Sequence, residues 1–235
     1  MEPRRVVYEG KAKIVYDTDE LGLLIQHFKD SATAFDGQKQ GVIVNKGVFN
    51  CAISSVIFQY LEKNGVATHF VEKLSERDML IKRLDIIPVE VIVRNLIAGS
   101  LAVRTGREEG EPLQFPIIEY YLKSDELGDP MINEWHIRVF EWASDEEMSF
   151  INDTAFRIND LLVPYFEGRG IILADYKLEF GRHSEGVLLG DEISPDGCRL
   201  WDKATGEKLD KDRFRRDLGR VEESYEEVWR RVCQT

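Results

Sequence analysis

Ile171-Ile172-Leu173-Ala174-Asp175-Tyr176-Lys177-Leu178-Glu179-Phe180-Gly181 is an apolar run that passes into strict alternation of charged and large apolar residues. Successive side chains of a strand point to opposite faces, so Asp175, Lys177 and Glu179 share one face and Tyr176, Leu178 and Phe180 face a core. The polar turn Arg182-His183-Ser184-Glu185-Gly186 follows, and Val187-Leu188-Leu189-Gly190 then leads to Asp191-Glu192. A three-residue loop at Ser184-Glu185-Gly186, with Gly186 left-handed, predicts a hairpin that sets Glu179 opposite Asp191.

Two carboxylates held that close repel each other unless a cation lies between them. Mg²⁺ suits the position, because it takes oxygen ligands from one or two protein carboxylates and completes its shell with water and substrate phosphates. A solvated hairpin face shows the same alternation. The pattern alone therefore leaves both readings open.

Working outward, Val6-Val7-Tyr8, Ala12 to Tyr16 and Gly22 to Phe28 read as short antiparallel strands joined by tight turns. From Lys46 to Lys63 apolar residues recur at helical spacing, and Gly65 closes the helix. A strand is expected over Thr68 to Val71, a helix-like stretch over Ser75 to Lys82, and a strand over Ile86 to Val93 entered at a sheet edge because of Pro88. Ser144-Asp145-Glu146-Glu147 has the capping-box pattern and opens a helix to about Phe166, ended by Gly168-Arg169-Gly170. Asp210 is expected to cap a C-terminal helix with Phe214, Leu218, Val221, Tyr225, Val228 and Val232 on one stripe. Strands dominate early and alternate with helices later, which predicts an α+β fold of two closely packed lobes. The expected division is a β-rich lobe over residues 1–85 and an α/β lobe over residues 86–235.

The 235 residues suffice for one large domain or two packed lobes. A formal net charge of -12 argues against binding nucleic acid or an anionic membrane in bulk, while leaving room for a local basic pocket. Cys51, Cys198 and Cys233 form no CxxC pair, as expected of a reduced cytoplasmic chain without structural zinc. No apolar run approaches the roughly 20 residues of a membrane span, and the N-terminus has no signal-peptide core.

Further segments offer anion-binding chemistry. Glu9-Gly10-Lys11-Ala12-Lys13 projects two lysines from a glycine turn, either over nucleotide phosphates or simply into water. The apolar Val91-Ile92-Val93 ends in Arg94, followed by Ala98-Gly99-Ser100, the groups a phosphate monoester needs. A salt bridge at a strand end is the alternative for Arg94. Pro195-Asp196-Gly197 turns the chain so that Arg199 returns toward the acidic hairpin, where it would face an anion or pair with Asp191 or Glu192. Asp30 to Gly37 is a polar loop, either a lid or a connector. The four histidines show no ligand spacing.

Taken together these segments resemble the phosphoribosylaminoimidazole-succinocarboxamide synthase (SAICAR synthetase) family over nearly the whole chain. Glu9 to Lys13 is similar to its phosphate-covering turn, Ile87-Pro88-Val89-Glu90 through Arg94 to Ser100 to its first signature, and Leu173 to Gly181 to its second. Ser31 to Asp36, Asn45-Lys46-Gly47, Asp129 to Glu134 and Gly190 to Asp202 also match. Ala174 departs from a bulkier aliphatic residue and bears on packing only.

The resemblance implies an ATP-dependent ligase of purine biosynthesis that joins L-aspartate to 5-amino-1-(5-phosphoribosyl)imidazole-4-carboxylate through an acyl phosphate, at a nucleotide site between the lobes. It implies Mg²⁺ on Glu179 and Asp191, ATP phosphates on Lys11, Lys13 and Lys123, and Glu90 near the adenine. Arg94, Ser100 and Arg199 would clamp the ribose phosphate. Lys177 would steady the carboxylate, with Asp175 orienting Lys177 or the substrate amine. The loop with Ser31 and Asp36 would order over aspartate, and family grounds suggest a homodimer. A small-molecule phosphotransferase needs the same ATP-Mg²⁺ site and stays open, as does a nucleotide-sensing module. The joint presence of Glu179, Asp191, Lys177 and both arginines argues against the module.

Overall fold

The computed structural model describes residues 3–34 and 37–234, so Asp36 lies outside the described residues. In chain order they form β1 (Val6–Glu9), β2 (Lys13–Asp17), β3 (Leu23–Phe28), β4 (Ser31–Ala34), β5 (Lys39–Val42), α1 (Lys46–Lys63), β6 (Phe70–Lys73), β7 (Asp78–Lys82) and β8 (Asp85–Leu96). There follow α2 (Gly99–Thr105), β9 (Pro112–Leu122), β10 (Met131–Ile132), α3 (Glu134–Val139), α4 (Asp145–Glu167), β11 (Ile171–His183), β12 (Gly186–Leu189), β13 (Cys198–Asp202), α5 (Asp212–Arg215) and α6 (Val221–Cys233). The fold is α+β. Among the described residues one antiparallel sheet runs β1-β2-β3-β7-β6, a second runs β10-β9-β8-β11-β12 with β13 also on β11, and β4 pairs with β5 as a separate ribbon.

The decisive strand is β11. Its Tyr176, Leu178 and Phe180 are buried in the main core, against α4 residues such as Ile151, Ala155 and Ile158 that recur at helical spacing. The α4 capping box forms as expected between Ser144 and Glu147. The opposite face of β11 is also shielded from water: Asp175 and Glu179 are 3% and 4% exposed. A solvated hairpin face is thereby excluded, and the charges on it must be paired.

On one edge β11 pairs with β8. On the other it pairs with β13 through Ile171–Tyr176 and with β12 through Phe180–His183. The segment between β12 and β13 fills the gap, with Gly190 N–H donating to Glu179 O (2.8 Å) and Lys177 N–H donating to Gly197 O (2.9 Å). Asp191 and Asp196 are thus brought beside the charged face of β11.

Several expectations are corrected. His183 pairs with Gly186 and Phe180 with Leu189, so the loop has two residues, Ser184 and Glu185, and Glu179 stands opposite Gly190 rather than Asp191. Asp191 instead follows in a left-handed conformation (φ 59) that turns the chain out of the ladder. Residues 78–82 form β7, not a helix: Met79, Leu80 and Ile81 are all buried, because tertiary pairing with β3 and β6 overrides local preference. Strand β6 starts at Phe70, with Thr68 only bridging Leu189. Pro88 lies within the central strand β8, where the β11 pairing shifts between Glu179 and Gly181, an irregularity that accommodates the missing N–H. Residues 31–34 of the expected 30–37 loop form β4 of the β4–β5 ribbon. The C-terminal helix is broken into α5 and α6 by positive φ at Asp217, Gly219 and Arg220, and Asp210 accepts N–H groups from Asp212 and Leu200 instead of capping one long helix.

The α1 helix is buried on most of its surface because it lies between the first sheet and α6. Its Lys46 is fully buried and pairs with Asp196 (2.5 Å), which also accepts from the Tyr225 hydroxyl (2.6 Å). This cluster ties α1 and α6 to the turn before β13. No described helix is long and apolar enough to cross a membrane.

Candidate functional site

A cleft of about 370 Å³ opens over the charged face of β11, lined by Lys11 from the first sheet's β1–β2 turn, Thr33 from the ribbon, and Glu90, Arg94, Lys177 and Arg199 from the second sheet. Two charge clusters meet on it.

The first centres on Lys177. Its ammonium contacts Glu90 (2.9 Å), Glu179 and Asp191 (3.4 Å). Glu179 also takes Lys123 (3.0 Å), and Asp191 takes Lys13, which reaches Glu192 as well (3.1 Å). Burial works against the Lys177 charge, yet Glu179, Asp191 and Glu90 hold its pKa well above the ordinary lysine value. Burial likewise opposes the Asp191 charge, and Lys13, Lys177 and Lys123 outweigh it, holding this carboxyl far below its usual range. Burial and the neighbouring Glu179 push Glu90 upward against the pull of Lys177. Glu179 and Asp191 are therefore oxygen donors gathered around a cation position, with ammonium groups occupying it.

The second cluster is a row across three strands. Asp175 stands in register with Arg94 on β8 and with Arg199 on β13. It accepts from both, at 2.6 Å from Arg94 and at 2.9 and 3.1 Å from Arg199. Arg94 also donates to Glu119 (2.7 Å) and to the Ser100 hydroxyl (3.0 Å). Arg199 donates to Asp212 (3.0 Å). Burial opposes the Arg199 charge, while Asp175 and Asp212 raise its pKa above the ordinary arginine value. Gly99, at φ +51, lies against this guanidinium, which any Cβ there would overlap. Arginine forks, a serine hydroxyl and close-packed glycine backbone together suit a phosphate monoester.

The description of SAICAR synthetase matches residues 6–232 as a family model. The chain belongs to the SAICAR synthetase family. It is 55% identical over 234 residues to the phosphoribosylaminoimidazole-succinocarboxamide synthase of Caldanaerobacter subterraneus subsp. tengcongensis, with 100% of each chain covered. A crystal structure of that synthase from Ehrlichia chaffeensis superposes with a TM-score of 0.95 at 45% identity, covering 97% of this chain and 98% of the other. A SAICAR synthetase (Type-2) solved in complex with ADP superposes with a TM-score of 0.93 at 45% identity, covering 97% of each.

Against the residues expected from SAICAR synthetase resemblance, Lys11, Glu90, Arg94, Ser100, Asp175, Lys177 and Arg199 all line the one cleft. Lys13, Lys123, Glu179 and Asp191 join it through the Lys177 cluster. Lys11 and Lys13 separate: Lys11 pairs with Asp125 (2.7 Å) at the rim, Lys13 with the buried acids. Asp175 contacts the two arginines, whereas Lys177 takes Glu90 and the acid pair, so the geometry links Asp175 to Arg94 and Arg199 rather than to Lys177. Glu90 likewise meets Lys177. Ser31 donates to Lys11 O (3.2 Å), and among the described residues of that segment Thr33, Ala34 and Gly37 line the cleft. Sequence reasoning missed Glu119, Lys211, Asp212 and Arg215. Glu119 lies in a stretch for which no element is expected and the others in the expected C-terminal helix, with nothing local to place them beside Arg94 or Arg199.

Proposed function

We infer that this chain joins L-aspartate to 5-amino-1-(5-phosphoribosyl)imidazole-4-carboxylate with ATP hydrolysis, giving the succinocarboxamide, ADP and phosphate. The observation that carries the reading is the adjacency, on one face of β11, of the Lys177–Glu179 acid–ammonium cluster and the Arg94–Asp175–Arg199 row. One end suits nucleotide phosphates and a carboxylate to be activated; the other suits the ribose phosphate. Family membership and the likeness to an ADP complex support it.

A carboxylate is a poor acyl donor. One of its oxygens therefore attacks the γ-phosphorus of ATP, releasing ADP, and the aspartate amine then attacks the acyl carbon and expels phosphate. Lys177 holds the carboxylate, and Glu90 orients Lys177. Lys11, Lys13 and Lys123 take the ATP phosphates, releasing the acids they now pair with. Glu179 and Asp191 would hold Mg²⁺: both are oxygen donors already sharing one ammonium. Bound there, the metal would neutralise charge developing on the phosphates. Arg94, Ser100 and Arg199 clamp the ribose phosphate, with Asp175 holding both guanidiniums, and the segment with Ser31 and Asp36 closes on the aspartate side. The two-lobe division at residue 85, a homodimeric state and a cytoplasmic location belong to the same proposal.

The test is ADP release measured with ATP, the carboxylated ribotide and L-aspartate, and with each omitted. Release that requires all three is expected. Release without an amine co-substrate would mark a phosphotransferase, and none under any condition would overturn the reading.

A further inference from the structure

The row of charges does not end at its two arginines. Arg94 and Arg199 share Asp175, and each has a second carboxylate of its own: Glu119 for Arg94 and Asp212 for Arg199. Each outer carboxylate in turn holds an outer arginine, Arg104 on Glu119 and Arg215 on Asp212 (2.5 Å). The result is a continuous chain of alternating sign from Arg104 through Glu119, Arg94, Asp175, Arg199 and Asp212 to Arg215, with Arg216 also within 3.6 Å of Asp212 and paired with Glu109.

Burial separates this arrangement from a surface ion-pair lattice. Asp212 is 1% exposed and Glu119 6%, so neither can exchange its partners for water. An exposed Asp–Arg pair three residues apart on a helix contributes only tenths of a kcal/mol and does not need a buried acid. Asp212 reaches across the fold to Arg199, and Glu119 lies on β9 beside Arg94. A guanidinium held by one carboxylate can pivot about it, and one held on two sides through different nitrogens cannot. Arg94 is held through Nε and Nη1, leaving Nη2 to the Ser100 hydroxyl. Arg199 is held through Nε and Nη1, with Nη2 toward Gly99. The same two nitrogens are spent in each case, and the same nitrogen is turned to the Gly99–Ser100 corner.

We propose that Glu119 and Asp212 are paired positioning residues, which aim the Nη2 groups of Arg94 and Arg199 at one anion over Gly99–Ser100. The inference rests on the ribotide reading above and extends it to residues that touch no substrate. Because Asp175 alone serves both arginines, loss of either outer carboxylate frees one guanidinium to rotate and leaves the other in place.

The test compares Glu119→Gln and Asp212→Asn with the unaltered enzyme, reading KM for the carboxylated ribotide and for ATP separately. Each variant is expected to raise the ribotide KM about tenfold with the ATP KM within about twofold. In an Arg199→Ala background Asp212→Asn should add less than about twofold, because the residue acts through that arginine. Asp212→Glu should recover part of the loss. Arg104→Ala, at the partly exposed end, supplies a third readout if a buried substitution prevents folding, with about a threefold rise in ribotide KM. An unchanged ribotide KM in a folded variant, an equal rise for ATP, or full additivity with Arg199→Ala would overturn the proposal. Inactivity of the unaltered enzyme toward the ribotide would instead overturn the function it rests on.

Discussion

Glu90 and Glu179 face each other in register across the β8–β11 ladder, two carboxylates of one sheet face bridged by the Lys177 ammonium. Like charges directly opposite on neighbouring strands destabilise a sheet, so the ammonium is what makes the pairing tolerable. Lys177→Met should leave these acids and Asp191 short of a cation, at a cost of about 3 kcal/mol in the ligand-free protein. Urea unfolding measures it, and adding Glu90→Gln should recover part of the loss. A change well under 1 kcal/mol would show that Lys13 and Lys123 suffice.

Metal dependence is assigned to two acids, and each can be tested alone. Glu179→Gln or Asp191→Asn should lower Mg²⁺-dependent kcat at least about 100-fold with the far-ultraviolet circular dichroism unchanged. Near-normal turnover by a folded variant would remove the metal assignment.

Gly99→Ala adds a Cβ where the Arg199 guanidinium lies and strains a positive φ. The expected stability loss is more than about 1 kcal/mol, with a raised ribotide KM and unchanged ATP affinity by calorimetry. Unaltered ribotide binding would mean that Arg199 does not need this contact.

Glu109 supplies a pH signature. Arg216 takes both its oxygens (2.7 and 2.8 Å), and, against a partial burial penalty, Lys208 and the Gly99 N–H add to the effect, holding the carboxyl at about 2 against an ordinary 4.5. A pKa lower in the folded state means stability present above pH 4.5 and lost as pH falls through about 2. Allowing for its partial exposure, the contribution is about 1 kcal/mol. The stability gap between the unaltered protein and Glu109→Gln should therefore be widest above pH 4.5 and close toward pH 2. A pH-independent gap would assign the effect to packing.

Local pattern reached far into this fold. Alternation along residues 171–181 identified both faces of β11, helical periodicity found α1 at Lys46–Lys63, and Ser144 with Glu147 marked the start of α4. It failed where partners decide. Ser75 to Lys82 reads as a helix-like stretch, and its residues 78–82 become a strand because β3 and β6 flank them. The C-terminal stripe was continuous in sequence, yet positive φ at Asp217, Gly219 and Arg220 breaks the helix.

The sequence by itself determined which residue types this protein would bring to its chemistry: Lys177 between acids, Arg94 ahead of Ala98-Gly99-Ser100, and a second arginine at Arg199. These were legible because side-chain direction in a strand follows from a two-residue period and turn residues act locally. Only the tertiary structure decided who holds whom. It paired Asp175 with two arginines from neighbouring strands, shifted the hairpin so that Glu179 meets Gly190 while Asp191 curls back to Lys177, and buried Glu119 and Asp212 behind the arginines. The reason is range. Charge pairing acts over a few ångströms of space, and these partners lie from 13 to 81 residues apart along the chain, so their pairing exists only once the sheets have formed.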